Sequence, residues 1–329
     1  MHVHLANYTS KPQVFQLTAK LARAARRGIS GVRFSVDDDL RDLERRLATA
    51  RVLVTSSDVI RDPRFPRRRL AQAAPRLELI HLIGAGVEGV LPLDWLPEGV
   101  RLTNNSGVHV AKAREFLLMA LLALNARLPA IVGNQGKSHW EQIFTPLIRG
   151  KTLAIVGLGN MGRAAVDAGR QLGLRIVGVR RSGRAVAGVE RVYRPARLRI
   201  ALMGADFLVI AAPLTPQSTG LIDRAALEAL KPGAGVINIG RAGILDHSAL
   251  AAALRVGRLG GAILDVLPVE PLPASSGLWR TPNLIVCPHV SSDDAERYMI
   301  DTMNLVCRNI ARLRAQRPLE NVVNRQTGY

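Results

Sequence analysis

The chain has 329 residues, with 45 Lys and Arg against 26 Asp and Glu for a formal charge of +19, and 48% of it is hydrophobic. That length exceeds what one hydrophobic core usually organises, so two domains are expected, and a composition this apolar excludes a disordered polymer. Two cysteines, Cys287 and Cys307, exclude a disulfide framework and fit a reducing, cytoplasmic setting.

The N-terminal stretch Met1–Gln13 lacks the basic-then-apolar layout of a secretory signal. The longest apolar run, Phe116–Leu124, falls short of the roughly 18–20 residues that a membrane helix needs, and reads as a buried core helix. The positive charge suggests nucleic acid first. However, the arginines are scattered (Arg23, Arg26, Arg27, Arg67, Arg68, Arg69, Arg180, Arg181, Arg194, Arg197, Arg199), and aromatics at 4% are too few to interleave with them. A solvated Arg-rich surface is the better reading, and neither a nucleic acid nor a membrane partner is expected.

Apolar runs of strand length alternate with helical periods along the chain, the pattern of parallel sheets built from crossover units. Strands are expected at Val3–Ala6, Val32–Val36, Val52–Thr55, Leu77–Ile83 and Val100–Thr103, with helices around Gln13–Ala25 and Leu40–Ala50. A long helix follows from Val110 to Leu128, which Pro129 ends or kinks. A second series then begins: strand Thr152–Val156, helix Met161–Leu172 and strand Arg175–Val179. Later strands fall at Phe207–Ala211, Gly235–Ile239, Gly261–Leu264 and Leu284–Cys287, and helices at Arg224–Leu230, Ser248–Val256 and Asp293–Arg314. The last helix is placed to return to the first domain. This implies two doubly wound α/β domains, the second (105–293) inserted into the first (1–104 plus 294–329).

Between the first strand and helix of the second series stands Gly157-Leu158-Gly159-Asn160-Met161-Gly162. Gly157 permits the tight turn, Gly159 lets a pyrophosphate approach the backbone, and Gly162 allows close packing of helix on strand. The helix N-terminus adds N–H groups and positive potential. A dinucleotide is expected there rather than a merely structural turn. NAD-selective sites place an acid at the end of the next strand, yet this chain reads Val179-Arg180-Arg181-Ser182. Two guanidinium groups and a hydroxyl suit a 2′-phosphate, so NADP(H) is preferred and NAD(H) remains possible. The ordinary alternative is a pair of solvated loop arginines.

Three segments downstream supply groups for keto-acid chemistry at strand C-terminal ends: Asn238–Asp246, Asp265–Pro273 and Pro288-His289. Reduction of a keto acid needs a cation for the carboxylate and carbonyl, an acid for the new alkoxide, and a partner that orients the acid. Arg241, His289 and Glu270 are of these types. Singly, each has an ordinary reading: a surface arginine, a satisfied core histidine, a capping acid. All three in this order after a dinucleotide turn are harder to explain that way.

With these residues the chain resembles the D-isomer-specific 2-hydroxyacid dehydrogenase family, of the glyoxylate/hydroxypyruvate reductase type. The resemblance runs over most of the length, through Leu82–Glu88, Asn104–Val108, Gly150–Leu153, the glycine turn, Ala212–Pro216, the Arg241 segment, Asp265–Pro273 and Pro288-His289. It implies a Rossmann NAD(P)-binding domain inserted into a flavodoxin-like substrate domain, and generally a homodimer that uses the long-helix region. It also implies that Arg241 binds the substrate carboxylate and polarises its carbonyl, and that His289 exchanges the proton. Glu270 would hydrogen-bond His289 and keep its imidazolium available near neutral pH. Backbone N–H groups of Ala85 and Gly86 would grip the carboxylate, while Ala212, Pro213, Ile239 and Asp265 would line the cofactor, Asp265 facing its carboxamide. Hydride would pass directly to the substrate's C2, with no metal.

Ala242 departs from the family's usual glycine after the arginine, and Val290-Ser291-Ser292 replaces a run of smaller residues. Glu270 argues against the related formate dehydrogenases, which carry Gln there. The absence of Lys from Gly84–Gly89 argues against phosphite dehydrogenase. The resulting expectation is an NADPH-preferring reductase of a small 2-keto acid. The rivals are a dinucleotide-sensing corepressor-like protein and an NAD-linked phosphoglycerate-type dehydrogenase, which often carries an appended regulatory domain for which the end of this chain leaves no room.

Overall fold

The strands are short, apolar and flanked by helical segments, which leaves parallel pairing with both faces covered as their way of burying every side chain. A computed structural model describes residues 1–8 and 12–326. In chain order it contains β1 (His2–Ala6), α1 (Ala19–Arg27), β2 (Arg33–Asp37), α2 (Leu43–Leu47), β3 (Val52–Thr55), α3 (Ser57–Arg61), α4 (Leu70–Ala73), β4 (Leu79–Leu82) and β5 (Arg101–Thr103). Next come α5 (Val110–Asn125), α6 (Leu128–Gln135), β6 (Thr152–Val156), α7 (Asn160–Gln171), β7 (Arg175–Val179), β8 (Arg191–Tyr193), α8 (Leu198–Leu202) and β9 (Phe207–Ile210). The series closes with α9 (Arg224–Glu228), β10 (Gly235–Asn238), α10 (His247–Arg255), β11 (Gly261–Leu264), β12 (Leu284–Val286) and α11 (Tyr298–Arg314).

These form two units, Met1–His109 with Asp294–Tyr329, and Val110–Asp293. The first holds a five-stranded parallel sheet in the order β2-β1-β3-β4-β5. Val3, Val52, Val54 and Leu79 bury one face with Met303, Val306 and Ile310 of α11, so the last helix does return to this unit. The second holds a seven-stranded sheet in the order β12-β11-β10-β9-β6-β7-β8, which reverses between β6 and β9. That reversal is the switch point at which open α/β sheets bind ligands, beyond the strands' C-terminal ends. Ala113, Leu117 and Ala120 of α5 and Ala164, Ala165 and Ala168 of α7 share one buried cluster on one face of this sheet. Side-chain oxygens start several helices: Thr18 accepts from Leu21 N, Ser56 from Val59 N, Asp223 from Ala226 N and Asp246 from Ala249 N.

Three expectations need correction. The long helix breaks before Pro129 rather than at it. Arg127 turns into the left-handed region at φ 58°, and Pro129 sits inside the first turn of α6, where its missing N–H costs nothing. The last helix begins at Tyr298 rather than Asp293, because the Asp294 carboxylate accepts from Glu296 N and Arg297 N and holds the preceding turn. The strand β8 lay outside the expected set.

Candidate functional site

The dinucleotide turn folds as its glycines require. Gly157 follows β6 at φ 96°, where a Cβ would lie 2.5 Å from Ala212 N, and a Cβ on Gly162 would lie 1.9 Å from Gly157 O. Gly159 caps α7, with Asn160 and Met161 as its first residues, and open space lies where its Cβ would be. Backbone against backbone on one side and room on the other make a cradle that fits a pyrophosphate on the helix N-terminus. Pro213 follows Ala212 after β9, and Ile239 is buried after β10. Arg180 follows β7, its N–H donating to Tyr193 O, while Arg181 and Ser182 are exposed. The Ser182 hydroxyl accepts from Arg184 N.

Arg241, Glu270 and His289 line one cavity of about 440 Å³, all within the second unit. Arg241 follows β10, where Asn238 braces the turn: its amide nitrogen donates to Arg241 O and its oxygen accepts from Gly240 N. Glu270 uses both carboxylate oxygens, accepting from Leu267 N at 2.9 Å and meeting His289 Nδ1 at 2.8 Å. With Nδ1–H donated to Glu270, Nε2 is the ring atom left to exchange a proton. His289 itself has φ 57°, a region non-glycine residues seldom occupy. Asp265, only 1% exposed, holds it there by accepting at Oδ1 from both Val290 N (2.8 Å) and Ser291 N (3.1 Å). That oxygen is therefore taken by the histidine loop.

Two acid–base groups escaped the sequence reading. His247, the first residue of α10, lines the same cavity with its pKa lowered by burial. Burial pushes the Asp293 carboxyl up to about 6, the Asp265 charge adding to this and His289 opposing it. Adjacency to the Arg241 and His289 segments was the one signal for either.

In the first unit, Ala85 and Gly86 follow β4, and their N–H groups make no hydrogen bond among the described residues. The loop is fastened from behind. Asn104 donates to Ala85 O, Asn105 and the Tyr298 hydroxyl donate to Ile83 O, and Asn105 N donates to Gly84 O. Two free, fixed N–H groups suit a carboxylate.

Residues 118–291 match the model of the D-isomer specific 2-hydroxyacid dehydrogenase NAD binding domain. A D-3-phosphoglycerate dehydrogenase of Mycobacterium tuberculosis is 32% identical over 230 residues, 68% of this chain and 43% of that protein. The chain thus spans less than half the length of this curated relative. A D-isomer specific 2-hydroxyacid dehydrogenase family protein from Aeromonas salmonicida superposes with a TM-score of 0.82 at 30% identity, covering 98% of this chain and 99% of that one. An NADPH-dependent glyoxylate/hydroxypyruvate reductase from Sinorhizobium meliloti, in complex with NADP and sulfate, gives 0.81 at 29% identity over 100% and 99%. The glycine cradle at the switch point, the Arg241–Glu270–His289 cavity and these similarities together place the chain in the D-isomer specific 2-hydroxyacid dehydrogenase family.

Proposed function

We propose that the chain is an NADP(H)-preferring oxidoreductase that interconverts a small 2-keto acid and its D-2-hydroxy acid, with glyoxylate or hydroxypyruvate as substrate. The observation that carries this is the His289–Glu270 pair on the cavity wall shared with Arg241. The Arg241 guanidinium binds the substrate carboxylate and draws electron density from the carbonyl. His289 Nε2 gives its proton to the oxygen as alkoxide develops and takes it back in the oxidative direction, while Glu270 stabilises the imidazolium. Bound nicotinamide supplies the hydride. Asp265 keeps the histidine loop in register.

Preference for NADP(H) over NAD(H) is supported by Arg180, Arg181 and Ser182 at the end of β7, where no acid opposes a 2′-phosphate. It is supported also by the NADP bound to the S. meliloti relative. We further propose a homodimer through the apolar outer faces of α5 and α6, where Met119, Leu122, Ile131 and Val132 stand exposed.

Steady-state kinetics with NADPH and NADH against glyoxylate, hydroxypyruvate, pyruvate and phenylpyruvate test the reading. Turnover of a keto acid that His289→Ala abolishes is expected, with a higher kcat/KM for NADPH. A preference for NADH removes the cofactor assignment, and inactivity on the whole panel removes the substrate assignment. The M. tuberculosis relative favours a second reading, so 3-phosphohydroxypyruvate belongs in the panel.

A further inference from the structure

The first unit carries a serine hydrogen-bonded to two histidines, and none of the three takes part in the chemistry above. His2 and His4 lie on β1, and Ser35 lies on β2, the edge strand of the five-stranded sheet. His4 pairs in register with Ser35 and His2 with Arg33. Alternation along the strands therefore puts both rings, the serine hydroxyl and the Arg33 side chain on one face.

These groups form a continuous relay. His2 Nε2 lies 2.7 Å from Ser35 Oγ, His2 Nδ1 lies 2.9 Å from Thr49 Oγ1, and His4 Nδ1 lies 2.9 Å from Ser35 Oγ. Thr49 Oγ1 donates its own proton to Arg46 O, so it accepts from His2 Nδ1–H and leaves His2 Nε2 as a bare lone pair. Ser35 therefore donates its hydroxyl proton to His2 and accepts from His4 Nδ1–H. A hydroxyl, a base within hydrogen-bond reach and a third group that orients the base make up the arrangement that activates a serine.

The surroundings suit that role. Burial, and after it the Arg33 charge, lower the His2 pKa, with Arg46 and the N-terminal amine adding to the effect and Thr49 opposing it, so the ring is an unprotonated base at neutral pH. Arg33 and Arg46 make no ion pair among the described residues, and Arg46 Nε is buried there without a hydrogen-bond partner. Two cations that the fold does not itself neutralise favour an anionic reaction partner. Ser35 is partly exposed on its edge strand, so such a partner can reach it.

We propose that Ser35 is an acyl-accepting nucleophile, with His2 as its general base, Thr49 as the residue that positions His2, and a small acyl phosphate as the donor. Ser35 Oγ bonds to the acyl carbon while its proton passes to His2 Nε2. The bond between that carbon and the phosphate oxygen breaks, and His2 returns the proton to the departing group, which leaves as hydrogen phosphate. An ester remains on Ser35. Arg33 and Arg46 offset the donor's negative charge.

Incubation of the full chain with acetyl phosphate tests this, followed by phosphate release and by mass mapping of peptides. An acetyl ester on Ser35 that neutral hydroxylamine removes is expected, absent from Ser35→Ala and formed about 100-fold more slowly in His2→Gln. Thr49→Val should also slow its formation, and Thr49→Ser, which keeps the hydroxyl, should restore it. Circular dichroism checks the fold of each variant, and the two Thr49 variants decide if His2→Gln misfolds. Acetyl groups confined to lysines and the N-terminal amine, an ester that forms as fast in His2→Gln or Thr49→Val as in the wild type, or phosphate in place of acetyl on Ser35 overturns the proposal.

Discussion

Lowering the pH from 7 to 5 is expected to weaken the first unit through two histidines sealed inside its sheet. His4 and His81 are both fully buried, on adjacent sides of β3 but on opposite faces of the sheet, since His4 pairs in register with Leu53 and His81 with Val54. Each ring uses Nδ1, towards Ser35 Oγ and Thr103 Oγ1, and each leaves a buried Nε2 without a partner among the described residues. Thr103 passes its own proton to Ile80 O, so His81 carries its hydrogen on Nδ1 and its orphan atom is a lone pair. Burial lowers the pKa of both from 6.5 to about 4, with the His2 and Arg46 charges adding to the effect at His4, and with the Ser35 hydrogen bond resisting at His4 and the neighbouring Asn105 amide at His81.

The unfolded chain therefore takes up protons that the folded one refuses, and stability falls as pH drops below 6.5, levelling only below about 4. At 1.36 kcal/mol per unit, each histidine costs about 2 kcal/mol at pH 5, or about 4 kcal/mol for the pair. Asp293, in the other unit, works in the opposite sense. Its carboxyl is raised to about 6, so protonation on the way down relieves a buried charge there. Urea unfolding of wild type, His4→Leu and His81→Leu across this range is the assay, with hydrogen exchange of β1 and β4 amides to localise the loss. Each variant should lose about half of the wild-type slope. A wild-type midpoint that stays flat from pH 7 to 5, or variants as acid-sensitive as the parent, would refute the reasoning.

Asp265→Ala releases Val290 N and Ser291 N, so His289 is expected to leave its left-handed conformation and kcat to fall about 100-fold, with melting temperature little changed; kinetics beside calorimetry check it. Glu270→Gln keeps one of two acceptor roles, to Leu267 N or to His289, and should lower kcat about 10-fold or more. Gly162→Ala places a methyl 1.9 Å from Gly157 O, against backbone that cannot yield. Loss of dinucleotide binding and a destabilisation of about 3 kcal/mol or more are expected, read by fluorescence titration and thermal melting.

The glycine turn was readable because each glycine answers a backbone demand that another residue cannot meet. The order Arg241, Glu270, His289 was readable because strand C-terminal ends are recognisable from their apolar runs. What escaped notice depends on tertiary context. The strand β8 is three residues long and has no buried residue, so it lacks a periodic signal. Arg127 enters the left-handed region inside an otherwise helical pattern, and only Gly233 and Gly260, far along the chain, make room for its side chain. Asp265 reads from the sequence as a cofactor contact, and one of its oxygens is in addition committed to backbone some 25 residues on, a pairing no local pattern announces.

The strand β8 has a consequence for solubility. It is the open edge of a seven-stranded sheet, a template on which another chain could add a strand. Brevity protects it, and so does charge. Arg191 stacks on Tyr193 at 5.1 Å, and Arg194 lies across Gly183 in the loop that also carries Arg181. The arginines suited to a 2′-phosphate are thus neighbours of those that repel a second sheet edge. Replacing these arginines with apolar residues would cost aggregation resistance at this edge, so acidic or lysine replacements are safer there.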